Sequence, residues 1–183
     1  MKGLIIYDSK YGATRQYALW LSHRLLLPFR HVASVTDEEL AGANFVIVGS
    51  PVYIGSLTLK KWLMKKKALL QDKKVMMFIV CGSVQDKAAT DKVIMQNRLT
   101  TITARENIYF LAGRVNPQQL NIIDKLKLRL GAMLEKDPIK KKGMLGGMDG
   151  LSLQQLVPVI SAANEYLASQ RRGTSVVFSS VHS

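Results

Sequence analysis

Leu4-Ile5-Ile6-Tyr7-Asp8-Ser9-Lys10-Tyr11-Gly12-Ala13-Thr14 decides how the chain is read. An apolar run leads into a short loop bearing hydroxyls and a glycine, and a helical pattern begins near Ala13 or Thr14. A strand, such a loop and a helix N-terminus, in that order, make a phosphate cradle. The unpaired N–H groups of the first helical turn point outward, where the helix dipole is positive. Gly12 allows backbone angles or a close approach that a side chain would block. Ser9 and Thr14 add hydroxyl donors, so an anion can be held mostly by neutral groups. Taken alone, the same residues also serve as an ordinary turn.

Outward from this loop the pattern repeats. Residues 3–8 read as a strand apolar enough to be buried on both faces. The helix after the loop runs to about Leu27, with Tyr17, Ala18, Leu21 and Leu25 as its buried side, and Pro28 ends it. Arg30 to Val35 is a weak second strand, and Asp37 to Leu40 a short helical turn. Asn44 to Gly49 is a third strand, followed by the turn-rich Ser50-Pro51-Val52-Tyr53-Ile54-Gly55-Ser56. A helix near Thr58 to Leu70 carries Trp62, Leu63 and a run of lysines. Lys73 to Cys81 is a fourth strand, and Gly82-Ser83-Val84-Gln85-Asp86 a third loop of the same placement. A helix from Ala88 to about Thr103 and a fifth strand from Asn107 to Gly113 follow. The last helix runs from Ser152 to about Ser169, with Leu153, Leu156, Val157, Ile160 and Leu167 on one side; Pro158 kinks it or marks its true start. Apolar strands alternating with helices predict an α/β parallel sheet with right-handed crossovers, whose ligand lies beyond the carboxyl ends of the strands. The three loops open on that edge.

Charge and composition narrow the class. The chain has 183 residues, which predicts one domain. Its 26 Lys and Arg face 13 Asp and Glu, a formal charge of +13 that suits an anionic partner. No apolar run reaches the roughly 18–20 residues that span a bilayer, and strand-like sequence from Gly3 predicts no secretory leader. A cytoplasmic location is expected. Cys81 is the single cysteine, which excludes an internal disulfide and a thiolate-cluster metal site; it is expected to be a buried small hydrophobe. The three histidines are far apart in sequence, so no metal site is predicted. Lysines without interleaved aromatics argue against base readout, so no specific nucleic-acid partner is expected.

YDSKYGATRQYA after strand one and GSPVYIGSLTLKKWL after strand three resemble the FMN loops of the flavodoxin-like fold. The resemblance covers most of residues 1–112 and the last helix. It implies a three-layer sandwich around a five-stranded parallel sheet of order 2-1-3-4-5, spanning residues 1–169, with an insertion at about 114–150; the tail at 170–183 has no assignment, and disorder there stays open. By position, Ser9, Lys10, Tyr11, Gly12, Ala13 and Thr14 would hold the FMN phosphate. Pro51, Val52, Tyr53, Ile54 and Gly55 would cover the flavin, with Tyr53 able to stack, and Gly82, Ser83, Val84 and Gln85 would close the far side. Neighbouring folds fit worse: a P-loop needs Gly-Lys-Ser/Thr where this chain has Gly12-Ala13-Thr14, and a low-molecular-weight tyrosine phosphatase needs an Arg where Lys87 follows Cys81. No side chain of the loops is an evident acid or base, so no catalytic residue is named.

Within the insertion, Pro117 to Leu134 is a helical pattern with Ile122, Ile123, Leu126, Leu130, Met133 and Leu134 on one face, flanked by Lys125, Arg129 and Lys136. Lys140-Lys141-Lys142 follows. Such a segment suits an anionic membrane surface; it equally suits a helix that packs its apolar face on the domain. A large basic insertion here, together with YGATR, resembles the menaquinone-dependent protoporphyrinogen IX dehydrogenase family. That resemblance implies an FMN oxidoreductase, peripheral at the membrane, passing electrons from a porphyrinogen to a quinone in haem biosynthesis. Two alternatives stay open: a flavodoxin-type electron carrier without a small-molecule substrate of its own, and a basic membrane- or nucleic-acid-binding module. Cations near a flavin favour its anionic reduced form by ~1 kcal/mol per close pair in water-like surroundings, so a basic chain predicts a raised reduction potential. Oligomeric state is not legible in the sequence.

Overall fold

Leu4 to Tyr7 carry four successive apolar side chains, and in the computed structural model they are buried within β1 (Gly3–Tyr7). The structure describes residues 2–82, 84–116, 118, 120, 122–126, 133 and 147–179. Gly12, at φ 86°, turns the chain into α1 (Ala13–Leu25), which ends where Leu26 takes a left-handed φ of 54°. β2 is short (Phe29–His31), and α2 (Asp37–Gly42) starts at a capping box in which Thr36 and Glu39 satisfy each other's backbone N–H. There follow β3 (Phe45–Tyr53), β4 (Ser56–Leu57), α3 (Lys60–Leu70), β5 (Lys74–Cys81), α4 (Lys87–Gln96) and β6 (Ile108–Ala112). β7 (Arg114–Val115), β8 (Met148–Asp149) and α5 (Val157–Ser179) complete the described elements.

The main sheet runs β2-β1-β3-β5-β6, all parallel, with β4 added antiparallel to the end of β3. Leaving β4 aside, this is the predicted order 2-1-3-4-5. Alternate residues of each strand feed opposite cores. Leu4, Ile6, Val46, Val48, Met77 and Ile79 pack with Leu59, Leu63, Leu70 and Ile94 on the α3/α4 side. Ile5, Tyr7, Ile47, Met76, Phe78 and Val80 pack with Tyr17, Ala18, Leu21, Leu25, Val159 and Ala163 on the α1/α5 side. Burial on both faces explains why the strands read as unbroken apolar runs.

Several boundaries differ from the sequence reading. The second strand stops at His31, because Val32–Ser34 closes a 3-10 turn capped by the His31 ring. The third strand does not end at Gly49 but continues to Tyr53. β1 stops opposite Gly49, and beyond it β3 is carried on by β4: Val52 pairs with Leu57 and Tyr53 with Ser56, and the Pro51 carbonyl accepts the Thr58 N–H at 3.3 Å. The fourth helix ends at Gln96 and not near Thr103, since Arg98 adopts φ 52° and Leu99–Thr101 is a separate 3-10 turn. Leu153–Leu156 is a 3-10 turn, and Pro158 lies at the second residue of α5, in the first turn where its missing N–H costs nothing. The change of pitch moves the buried side to Leu156, Val159 and Ala163 and leaves Val157 60% exposed. The last helix does not stop near Ser169: α5 runs on to Ser179.

The insertion is clipped at its base. β7 and β8 pair antiparallel, Arg114 opposite Asp149 and Val115 opposite Met148, with an Arg114–Asp149 ion pair at 2.9 Å. Gly150 donates to the Gly113 carbonyl at 3.0 Å, and a Cβ on Gly150 would stand 2.6 Å from the Ala112 Cβ. Glycine is required there by close approach.

Candidate functional site

The loop after β1 is shaped by Gly12. Nothing lies within 4 Å of where its Cβ would be, so its positive φ, not lack of space, demands glycine. The Gly12 N–H donates to Ser9 Oγ at 3.1 Å, which leaves the Ser9 hydroxyl hydrogen to donate elsewhere. Thr14 is buried in the first turn of α1. That turn contains no acidic residue, and no side chain caps it. The positive end of α1 therefore faces the loop without a carboxylate in its first turn.

Beside it stands a hairpin. Val52 pairs with Leu57 and Tyr53 with Ser56, and Ile54 (φ 49°) and Gly55 (φ 73°) form the turn between them. A β-branched residue at positive φ is strained, and Ile54 is 79% exposed at the tip. The hairpin is braced from below by a residue that sequence reading missed. Asn97 is fully buried at the end of α4; its amide donates to the Gly55 and Val93 carbonyls, both at 2.8 Å, and its oxygen accepts the Leu57 N–H at 2.9 Å. Ser50, also fully buried, accepts the Leu59 N–H at 3.3 Å and lies 3.3 Å from Thr58 Oγ1.

The third loop leaves β5 at Cys81. The thiol is half-buried, where a fully buried one was expected, because β5 is emerging from the sheet there. Gly82 and Gln85 are exposed and Val84 is half-buried; Ser83 lies outside the described residues. A Cβ on Gly82 would come to 3.6 Å from Met148 Cε, so this loop abuts the base of the insertion.

Loops one and two meet through aromatic rings. The Tyr11 and Tyr53 centroids are 6.4 Å apart, and Lys10 Nζ stands 5.5 and 5.4 Å from them. Burial pushes the Tyr53 phenol above the usual tyrosine range, and the neighbouring Tyr11, Asp124 and Asp8 groups add to the shift. The insertion supplies the remaining member. Asp124, 6% exposed, accepts from Lys10 Nζ and from the Tyr11 hydroxyl, both at 2.5 Å. The hydrogen bond to Asp124 holds the Lys10 ammonium above the ordinary lysine value. Asp124 was not read as a site residue; its signal is that it is the lone acid in 117–134.

The orientation of the insertion corrects one expectation. Residues 122–126 are helical, but Ile122 (85% exposed), Ile123 and Leu126 face solvent, as does Met133, while Asp124 points inward. The reading in which this face packs its apolar residues on the domain fails for these residues. Leu130, Leu134, Arg129, Lys136 and Lys140 to Lys142 lie outside the described residues. Among the described residues no helix is long and apolar enough to cross a membrane.

A family model described as flavodoxin domain matches residues 4–141. No curated protein matches. Among solved structures, flavodoxin 2 from Bacillus cereus is 20% identical, with 68% of this chain and 92% of that chain covered and a TM-score of 0.46. The Trp repressor binding protein from Bacillus subtilis is 14% identical over 61% of this chain and 85% of that one, TM-score 0.47. The flavodoxin WrbA-like protein from Agrobacterium tumefaciens is 16% identical over 67% and 87%, TM-score 0.44.

Proposed function

We propose, because this chain belongs to the flavodoxin domain family, that it is an FMN-dependent oxidoreductase working at an anionic membrane surface, taking electrons from a small organic donor and passing them to a quinone. The observation that carries the cofactor reading is the end of α1: a turn set by Gly12, no acid in the first helical turn and no capping side chain, next to the Tyr53 hairpin. This donor set fits a phosphate. The N–H groups of Ala13 and Thr14 and the Ser9 and Thr14 hydroxyls would hold it, with Lys10 as the one cation of the loop. Pro51 to Gly55 would line one side of the ring and Gly82 to Gln85 the other, Asn97 holding the first of these in place. When bound, FMN supplies reversible two-electron chemistry, and the protein supplies orientation, exclusion of water and charge.

Membrane contact is supported by the outward Ile122, Ile123 and Leu126 with the exposed Lys125 between them. Fully burying one such apolar side chain is worth about 1.5–3 kcal/mol, so a few of them with nearby cations suffice for reversible attachment. The sequence resemblance makes protoporphyrinogen IX the first donor to try and a menaquinone the acceptor. An anaerobic titration of the FMN-reconstituted protein tests this: the porphyrinogen should bleach the flavin spectrum and a menaquinone analogue should restore it. Flavin that binds but stays oxidised removes the donor assignment and leaves an electron carrier. A protein without FMN affinity overturns the reading and leaves a basic membrane- or nucleic-acid-binding module.

A further inference from the structure

Asp124 presents a buried carboxylate to the only cation in Ser9–Thr14, across 114 residues of sequence. Taking a carboxylate out of water is costly unless it is paired and hydrogen-bonded. Here Lys10 and Tyr11 supply both, and each belongs to the loop that faces the α1 N-terminus. The same short segment leaves Ile122, Ile123 and Leu126 in solvent. Those three residues therefore contribute little apolar burial to its docking; among the described residues, the hydrogen bonds that hold this segment inward are those at Asp124. A segment held this way is releasable by whatever competes for its partner.

We propose that the insertion is latched by Asp124 to Lys10, and that a phosphate monoester binding at the α1 N-terminus competes with Asp124 for the Lys10 ammonium and releases residues 122–126. This rests on the FMN reading above. A dianion and a carboxylate on one ammonium repel each other in a partly water-excluded site. Loading with cofactor thus weakens the latch, and the latch weakens the cofactor, by the same factor in each direction. The consequence is a cofactor-linked switch. Without FMN the segment 122–126 is held beside the loops with its apolar face already turned to solvent; with FMN the segment is free to move away from the loops.

The test is amide hydrogen exchange at residues 122–126 in the full-length protein, with FMN, with riboflavin and with neither, alongside FMN affinity from flavin fluorescence. In the wild type, FMN should speed exchange at 122–126 and riboflavin, which lacks the phosphate, should not. In Asp124→Asn the exchange should already be fast and insensitive to FMN, and FMN affinity should rise about threefold to tenfold. In a Lys10→Gln background the Asp124→Asn change should have no further effect on affinity. Tyr11→Phe, which removes the Tyr11 hydroxyl from Asp124 and keeps the ammonium, should act in the same direction but less. FMN that slows exchange at 122–126, or binds wild type and Asp124→Asn equally, overturns the latch while the FMN reading stands. Failure of all the proteins to bind FMN overturns both.

Discussion

Asn97 shows how a single side chain can set the position of a ligand loop. Two of its three hydrogen bonds tie the end of α4 to the Tyr53 hairpin, one at the Gly55 turn and one at Leu57 of β4, and the third holds it to Val93 of α4. Asn97→Ala leaves the Leu57 N–H and the Gly55 carbonyl without these partners and should lower unfolding free energy by about 1–3 kcal/mol. The check is a denaturant titration, in which the midpoint falls while the slope is kept. FMN affinity should fall with it, since the hairpin is no longer braced. Gly49 makes a different demand. A Cβ there would stand 2.1 Å from Phe78 Cζ, and Phe78 is fully buried against Tyr17, with no room to retreat. Gly49→Ala should therefore destabilise by about 1–3 kcal/mol through overpacking, read as a lower melting temperature.

At the scale of elements, the β7–β8 ribbon separates the insertion from the domain that carries it. Its strands are pinned by the Arg114–Asp149 pair and by the Gly150–Gly113 bond, which leads back to β6. Gln155 and Tyr17 fasten the same corner: the Ala112 N–H donates to Gln155 Oε1 at 2.6 Å, and the Tyr17 hydroxyl donates to the Ala112 carbonyl at 2.8 Å. Replacing residues 116–147 by an Asn-Gly turn should thus leave a folded domain with little change in melting temperature, because no described residue of the excised stretch belongs to either core. Lys10, whose side chain is 43% exposed, remains solvated when Asp124 is gone. The shortened protein, which lacks Asp124, should bind FMN at least as tightly as Asp124→Asn does, and lose co-sedimentation with anionic vesicles. Retained vesicle binding would place membrane contact elsewhere on the basic surface.

For the whole molecule, the shifted groups fix how stability varies with pH. Tyr17, Tyr53 and Tyr109 are raised above 10.0, chiefly by burial, and Lys10 is raised above 10.5 by its bond to Asp124. In each case the folded state holds its proton more tightly than the unfolded state, so the stabilisation is complete below these ordinary values and is lost as pH rises through the folded ones. On the acid side Glu38 is lowered from 4.5 by hydrogen bonds at its helix start, and Asp149 from 3.8 by Arg114. Their contribution is present above those values and lost as pH falls. Melting temperature against pH should show a plateau with losses at both ends, and Tyr53→Phe should soften the alkaline loss. A formal charge of +13 acts on the same scale: if the FMN reading holds, the flavin potential should lie above that of acidic flavodoxins.

The sequence by itself determined the α/β class, the strand order that the resemblance implied, and the three loops at one edge of the sheet. These follow from local signals: apolar runs too long to be one-sided, helical spacing between them, and glycine at a turn that needs a positive φ. Residues that share a strand or a helix are neighbours in both sequence and space, so periodicity reports them. The tertiary structure alone decided what crosses between elements. Asn97 reaches Leu57 over 40 residues and Asp124 reaches Lys10 over 114, and no local pattern encodes either distance. The extension of β3 to Tyr53 depended on its pairing with β5 and β4, and the outward turn of Ile122, Ile123 and Leu126 on where Asp124 finds its partners. An amphipathic pattern names the apolar face of a helix; which face turns inward depends on the partners that the rest of the fold supplies.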